Sequence, residues 1–333
     1  MTDQKETGFA RRRRRRPPEK PRSASSERRP GIQAQANPSR VRFVNLDKVF
    51  WPELGYTKGD LVEYYKDVSA IMLPYLKDRP ERIHRQTEGI GGKSFWHNDM
   101  AADGPRWVST ANIYAPTDGK EIPYLLCQDA DTLLFMANMG CIEIHPWHAR
   151  VEHLDRPDYA VFDIDPFEVP FEEVVKAALE TRRLLDEIEA PCFCKTSGGD
   201  GLHVYVPLGA KYTHEQSVRF AELINKVVNS RMPLISSTER HARRRKGKVY
   251  LDHLQNGFAR ALVAPYSVRP RKSAAVSTPL EWREVNRRLD PGKYTLRTIR
   301  RRLDKAGDLW PGVLGPGIDM PACLERLAAL LQD

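Results

Sequence analysis

Apolar and polar positions change rhythm along the chain in short blocks. In VRFVNLDKVFWPELGYTKGDLVEYYKDVSAIMLPYLKDRP, residues 41–80, a strand-like run gives way to a turn. Leu61, Tyr64, Tyr65, Val68, Ile71 and Met72 then recur at helical spacing, with Thr57 placed to cap that helix ahead of Asp60. IPYLLCQDADTLLFMANMGCIEIHPWHARV (122–151) predicts a strand, a short helix and a second strand ending near His145. The block 159–165, YAVFDID, reads as a strand. FEEVVKAALETRRLLDEIEA (171–190) follows as an amphipathic helix with Val174, Ala178, Leu185 and Ile188 on one face. CFCKTSGGDGLHVYVPL (192–208) predicts strand, glycine turn, strand; 214–231 a helix; KVYLD (248–252) and RALVAPYSV (260–268) two more strands. Strands spaced this unevenly point to α+β sheets rather than regular βαβ winding. No internal repeat is visible.

Composition narrows the class. With 333 residues and 41% hydrophobic content, the chain can bury a sizeable core as one large domain or two small ones. No apolar run approaches the ~18–20 residues of a membrane span, and no apolar signal segment opens the chain. The five cysteines (Cys127, Cys141, Cys192, Cys194, Cys323) lack metal-ligand or disulfide spacing. They are expected to be reduced, in a cytoplasmic, nucleoid-associated protein without membrane contact.

Charge is concentrated at one end. Residues 1–40 hold twelve Lys and Arg against four acids, leaving 41 against 40 in the rest of a chain whose net charge is +9. This stretch has too few apolar residues to order itself, so 1–40 is expected to be a disordered basic tail. It reads either as an electrostatic arm for nucleic acid or as a solvated tail. Residues 41–333 are expected to form a single catalytic domain, with an N-terminal part over 41–150 and a catalytic core over 151–310.

Three acids carry the candidate chemistry. Asp163 and Asp165 are two apart in a strand, so their carboxylates share a face. Either they are a solvated strand end or they hold a divalent cation, since clustered carboxylates otherwise repel. Asp252 repeats the pattern at the end of another apolar run. Three such carboxylates from two strands suit a two-metal site. Between them, Ser197, Gly198, Gly199 and Gly201 make a turn that is either an ordinary hairpin or an anion cradle. His203 follows, and Arg269 and Arg271 stand after a predicted strand, where arginine can clamp phosphate.

Taken in order, D-x-D, S-G-x-x-G-x-H, D-H-L-Q-N and A-P-Y-S-x-R make a specific combination. From about Val44 to Leu309, with NLDKVFWPELGYTKGDLVEYY, DRPERIHR, GIGGKSFW and AGDLW, the chain resembles the polymerase domain of bacterial ligase D, in the archaeo-eukaryotic primase superfamily. The resemblance implies a primase-polymerase fold, with mixed or antiparallel sheets flanked by helices and an RRM-like catalytic core. It implies that Asp163, Asp165 and Asp252 are the catalytic metal-binding carboxylates for two manganese or magnesium ions. His145, Ser197, Gly198, Gly201, His203, Gln255 and Arg269 would line the NTP or dNTP site. Lys48 and Lys58 would bind a DNA 5′-phosphate, and Arg85, Phe95, Trp96, Arg244 and Arg245 would contact template or primer.

The function implied is template-dependent nucleotide addition at short gaps or broken ends bearing a 5′-phosphate, in end joining or short-gap excision repair. Ribonucleotides would be favoured and manganese would activate. Gapped or broken duplex DNA would be the partner of a monomer, with Ku and a separate ligase beside it. The adenylation pattern K-x-D-G of a ligase does not occur, so a stand-alone polymerase domain is expected. A non-catalytic DNA-end scaffold is the alternative. Two positions depart from the family: Asp200 stands where relatives have a lysine in the glycine turn, and His84 precedes Arg85 where relatives read K-R.

Overall fold

The fold was described from a computed structural model, covering residues 39–100, 104–115 and 119–332. Residues 1–38 of the expected tail lie outside the described residues. Ser39 and Arg40, assigned to that tail from sequence, are tied to the body: Arg40 meets Asp129 at 2.5 Å and Asp131 at 2.9 Å. Ser39–Asp333 form one compact unit.

The first elements are β1 (Val49–Trp51), β2 (Tyr56–Thr57) and α1 (Lys58–Met72). Thr57 caps α1 through a capping box with Asp60, as its spacing predicts, and Leu61, Tyr65, Val68 and Met72 turn inward. Then come the hairpins β3 (His84–Arg85) with β4 (Phe95–Trp96) and β5 (Thr110–Ala115) with β6 (Lys120–Leu125), and α2 (Ala130–Asn138). The predicted strand ending at His145 is not a strand. Residues 141–145 join no ladder, because loop groups take their backbone bonds: Ser267 Oγ accepts from the Ile144 N–H, and Ala264 N–H donates to the Ile144 carbonyl.

The second half is built on β7 (Tyr159–Asp165), α3 (Phe171–Glu187), β8 (Phe193–Thr196), β9 (Leu202–Pro207), α4 (His214–Arg231), β10 (Ser236–Ser237), β11 (Val249–Asp252) and β12 (Pro279–Leu280). The chain closes with α5 (Ile299–Ala306) and α6 (Met320–Leu330). One six-stranded sheet runs β10-β11-β7-β9-β8-β12, antiparallel except for the β10–β11 pair. The fold is thus α+β, as expected. RALVAPYSV is not a strand: Pro265 donates no hydrogen bond, and Tyr266 sits at φ 65°, outside strand geometry.

Period two sorts the sheet's faces. Ala160, Phe162 and Ile164 face α3 and α4, where Phe162 meets Phe220 edge-on at 6.3 Å. Tyr159 and Val161 face the other side, against Tyr205 and Trp310. Asp163 and Asp165 continue that second face past its aromatic layer.

Candidate active site

Strand register gathers the acids. Asp252 lies opposite Asp163, Asp163 opposite His203, and His203 opposite Lys195. Cross-strand partners share a face, so these four polar side chains form a row across β11, β7, β9 and β8. Asp165 sits one step further along β7 on the same face. Beyond Asp252 the β11 ladder ends, and Asn256 replaces it: its side chain accepts from the Val161 N–H and donates to the Val161 carbonyl, both at 2.7 Å. The loop after Asp252 is thereby pinned to β7.

The row is buried and electrostatically tense. Burial and the neighbouring Asp252 raise the Asp163 carboxyl to about 7. Burial together with Asp163 and Asp252 does the same to Asp165. Asp163 Oδ1 is buried without an aligned hydrogen-bond donor, although His203 Nε2 lies 3.1 Å away. Lys195 donates to His203 Nδ1 (2.9 Å) and to Ser277 Oγ (2.6 Å), and burial pushes both Lys195 and His203 toward their neutral forms. With Nδ1 accepting, the imidazole proton belongs on Nε2, which faces the acids.

The glycine turn makes room for this machinery. A Cβ on Gly201 would lie 2.5 Å from Asp165 Oδ1 and 2.6 Å from the Ile164 carbonyl oxygen. A Cβ on Gly198, at φ +70°, would lie 2.6 Å from the Arg269 side chain. The N–H groups of Gly199 and Gly201 both donate to Ser197 Oγ at 3.1 Å. That oxygen's acceptor capacity is spent, so the Ser197 hydroxyl proton is directed outward as a donor. Arg269 donates Nη1 to the Ser197 carbonyl at 2.9 Å.

A cleft of about 340 Å³ opens over this arrangement, lined by His145, Asp163, Asp165, Ser197, His203, Arg245, Arg269 and Arg271 among others. Gly198 and Gly201 back its wall rather than line it. Gln255 does not line it either; its Nε2 reaches Asp252 Oδ2 at 3.4 Å. Arg245 lies 3.5 Å over the Tyr250 ring and reaches the cleft, whereas Arg244 is exposed beside Glu239. Asp200 pairs with Arg271 at 2.9 Å at the cleft's edge, its side chain 70% exposed.

Two outer sites complete the set. Lys58 opens α1, with its Nζ on the Val44 carbonyl at 2.8 Å; burial and the charges of Lys48 and Arg85 lower its pKa. Lys48 pairs with Glu88. Lys48, Lys58 and Arg85 thus stand close enough at the start of α1 for their charges to act on one another. On β4, Phe95 and Trp96 are about half exposed, with Arg85 over the Phe95 ring and His84 stacked on Trp96.

Among the described residues, no group of three His, Cys, Asp or Glu side chains closes into a metal cage. Asp163 and Asp165 line the cleft instead, with Asp252 paired opposite Asp163 at its side. All-oxygen donors, mutual repulsion and the unpartnered Asp163 Oδ1 fit a hard divalent cation whose coordination water and substrate oxygens complete. Lys195 escaped the sequence reading. Its signal was a lysine inside the apolar run CFCKT, in phase with Ser197.

A family model described as LigD, primase-polymerase domain, matches residues 57–310. The chain is 32% identical over 270 residues to the bifunctional non-homologous end joining protein LigD of Bacillus subtilis, covering 80% of this chain and 43% of that protein. It is 30% identical over 301 residues to the multifunctional non-homologous end joining protein LigD of Pseudomonas aeruginosa, covering 90% and 35%. It thus spans less than half the length of these curated relatives. Among solved structures it resembles the polymerase domain from Mycobacterium tuberculosis ligase D in complex with DNA, with a TM-score of 0.77, 28% identity, and coverage of 84% of this chain and 100% of that one.

Proposed function

The chain belongs to the LigD primase-polymerase domain family, whose members are DNA-directed nucleotidyltransferases, and from that premise we propose that it adds single nucleotides to a primer 3′-hydroxyl at short gaps or broken ends bearing a 5′-phosphate. The setting is DNA repair by end joining or short-gap filling, with ribonucleotides favoured and manganese the most effective ion. The observation that carries this reading is the row Asp252–Asp163–His203–Lys195, with Asp165 beside it and a serine and arginine at its edge.

Asp163, Asp165 and Asp252 would hold divalent cations, which supply charge neutralisation on the triphosphate and a lowered pKa for the primer hydroxyl. The remaining roles fall to the chain's own groups. Ser197 donates its outward hydroxyl to a phosphate oxygen. Arg269, fixed through Nη1, presents its remaining N–H groups to the same phosphates. His203 offers Nε2–H, its tautomer set by Lys195. Gln255 steadies Asp252. Phe95 and Trp96 offer π-faces to template bases of any identity. Arg245 supplies positive charge beside Asp165, where primer or nucleotide phosphate would lie.

The Lys48–Lys58–Arg85 cluster would bind the downstream 5′-phosphate. Charge-assisted hydrogen bonds of this kind are worth about 1.5–3 kcal/mol. Wild type is therefore expected to extend a gapped duplex with a 5′-phosphate at least about tenfold more efficiently than one without it, and Lys58→Met to lose that preference while still extending both. Equal use of the two gaps by wild type would remove the 5′-phosphate site.

Asp200 bears on nucleotide affinity. It places an acid beside the triphosphate path and occupies Arg271. Exposed pairs of this kind are worth up to about 1 kcal/mol, so Asp200→Lys is expected to lower the nucleotide KM up to about fivefold. An unchanged KM in steady-state extension would show that Asp200 faces away from the substrate.

A further inference from the structure

One buried carboxylate beside the cleft has no role in the account above. Glu143 is 6% exposed and stands where three functional side chains meet. Its Oε1 is hydrogen-bonded to His84 Nδ1 at 2.8 Å and lies 3.3 Å from His145 Nε2, and its Oε2 pairs with Arg269 Nε at 2.8 Å, the last two being charge contacts without hydrogen-bond alignment. Burial alone would favour the neutral acid, but His145 and His84 beside Oε1 and the charge of Arg269 hold it ionised. The two oxygens are thus divided, one to the histidine pair and one to the arginine.

Each partner leads elsewhere. His84 lies opposite Trp96 in the β3–β4 hairpin and stacks on its indole, with rings 4.4 Å apart and 13° from parallel. His145 meets the same indole edge-on at 5.5 Å. The indole is 49% exposed, leaving surface for a base. On the other side, Arg269 is bonded to the Ser197 carbonyl and packed over Gly198, at the cleft. A single carboxylate therefore joins an exposed aromatic platform to an arginine that lines the cleft. His84, one of the two family departures, supplies the link between them.

We propose that Glu143 is a positioning residue that couples a base stacked on Trp96 to the setting of Arg269 for the incoming nucleotide's phosphates. The inference rests on the reading of Trp96 as a template platform and Arg269 as a phosphate ligand. A stacked base restrains the indole and, with it, the His84 ring. His84 Nδ1 then fixes Oε1, which holds Oε2 beside Arg269 Nε, where the ion pair restrains the guanidinium. The guanidinium meets the triphosphate already oriented, so less freedom is lost on nucleotide binding. Couplings of this sort change affinity about 5- to 150-fold.

The test is a double-mutant cycle read in the nucleotide KM on a 5′-phosphorylated gapped duplex. Glu143→Gln and Trp96→Ala are each expected to raise KM about tenfold, with the larger part of the loss in KM rather than kcat. The double variant is expected to raise KM no further than the worse single variant. A product of the two effects, near a hundredfold, would mean that the residues act independently and would overturn the proposal. A Glu143→Gln loss confined to kcat would do the same. Should Glu143→Gln fail to fold, His84→Ala cuts the same path while leaving the Glu143–Arg269 pair in place, and the same non-additivity with Trp96→Ala is expected. Failure of the polymerase reading has a different signature, since wild type itself would then extend no primer.

Discussion

Asp163→Asn is expected to abolish single-nucleotide extension, by at least about a thousandfold, and to make the cation-free protein more stable at pH 8. Both effects have one cause. Three carboxylates share one sheet face, and Asp163, the buried one, is held at about 7 by burial and by Asp252. Unfolded, the same carboxyl titrates near 3.9. The folded state therefore binds protons that the unfolded state releases, and stability falls as pH rises from about 4 to about 7. Above pH 7 the penalty is fully present. Asparagine removes it and keeps an oxygen for His203 Nε2 to meet. In chelator at pH 8 the variant should melt a few degrees above wild type, with the gap closing toward pH 5. Added manganese should stabilise wild type and leave the variant nearly unmoved. A variant that melts lower than wild type at pH 8 in chelator would contradict this picture of the site.

The second large effect is expected from a single methyl group. Gly201→Ala would set a Cβ 2.5 Å from Asp165 Oδ1 and 2.6 Å from a backbone carbonyl oxygen. The backbone there cannot yield, because Gly201 exchanges bonds with Ser197 and the next residue enters β9, which is bonded to both β7 and β8. The carboxylate must move instead. Displacements near 1 Å at a reacting centre cost on the order of a hundredfold in rate, and overpacking costs about 1–3 kcal/mol in stability. Extension should fall by about two orders of magnitude in a protein that remains folded, measured by kinetics beside a melting curve. Near-normal activity in Gly201→Ala would mean that Asp165 does not need the position it holds.

These cases show what was legible in the chain. The D-x-D pair was readable because period two in an apolar strand leaves only one geometry for its carboxylates. Asp252 was readable as an acid ending a second apolar run, but its place opposite Asp163 is a matter of register, which no local pattern carries. The glycine turn was identified, though for a different reason from the one that holds. Two of its N–H groups serve Ser197 Oγ, and its glycines are required by the approach of Asp165 and Arg269. Residues 141–145 and 260–268 looked like strands because their side chains are apolar; their backbone bonds go to loops and side chains instead. Glu143 repeats the D-x-D logic with His145 two residues on, yet its meaning depends on His84 and Arg269, far away in sequence. Lys195 was hidden in the same way, since only the β8–β9 register sets it beside His203.

The most direct measurement is single-nucleotide extension of a primer across a short gap with a 5′-phosphate, in manganese, with ribonucleotides and deoxyribonucleotides compared. Wild type would be run beside Asp163→Asn and Asp165→Asn. Extension by wild type that is stronger with ribonucleotides and lost in both variants is the predicted result. Retained DNA binding with no extension by wild type, or extension that survives in the two variants, would contradict the assignment of the carboxylate row as the catalytic centre.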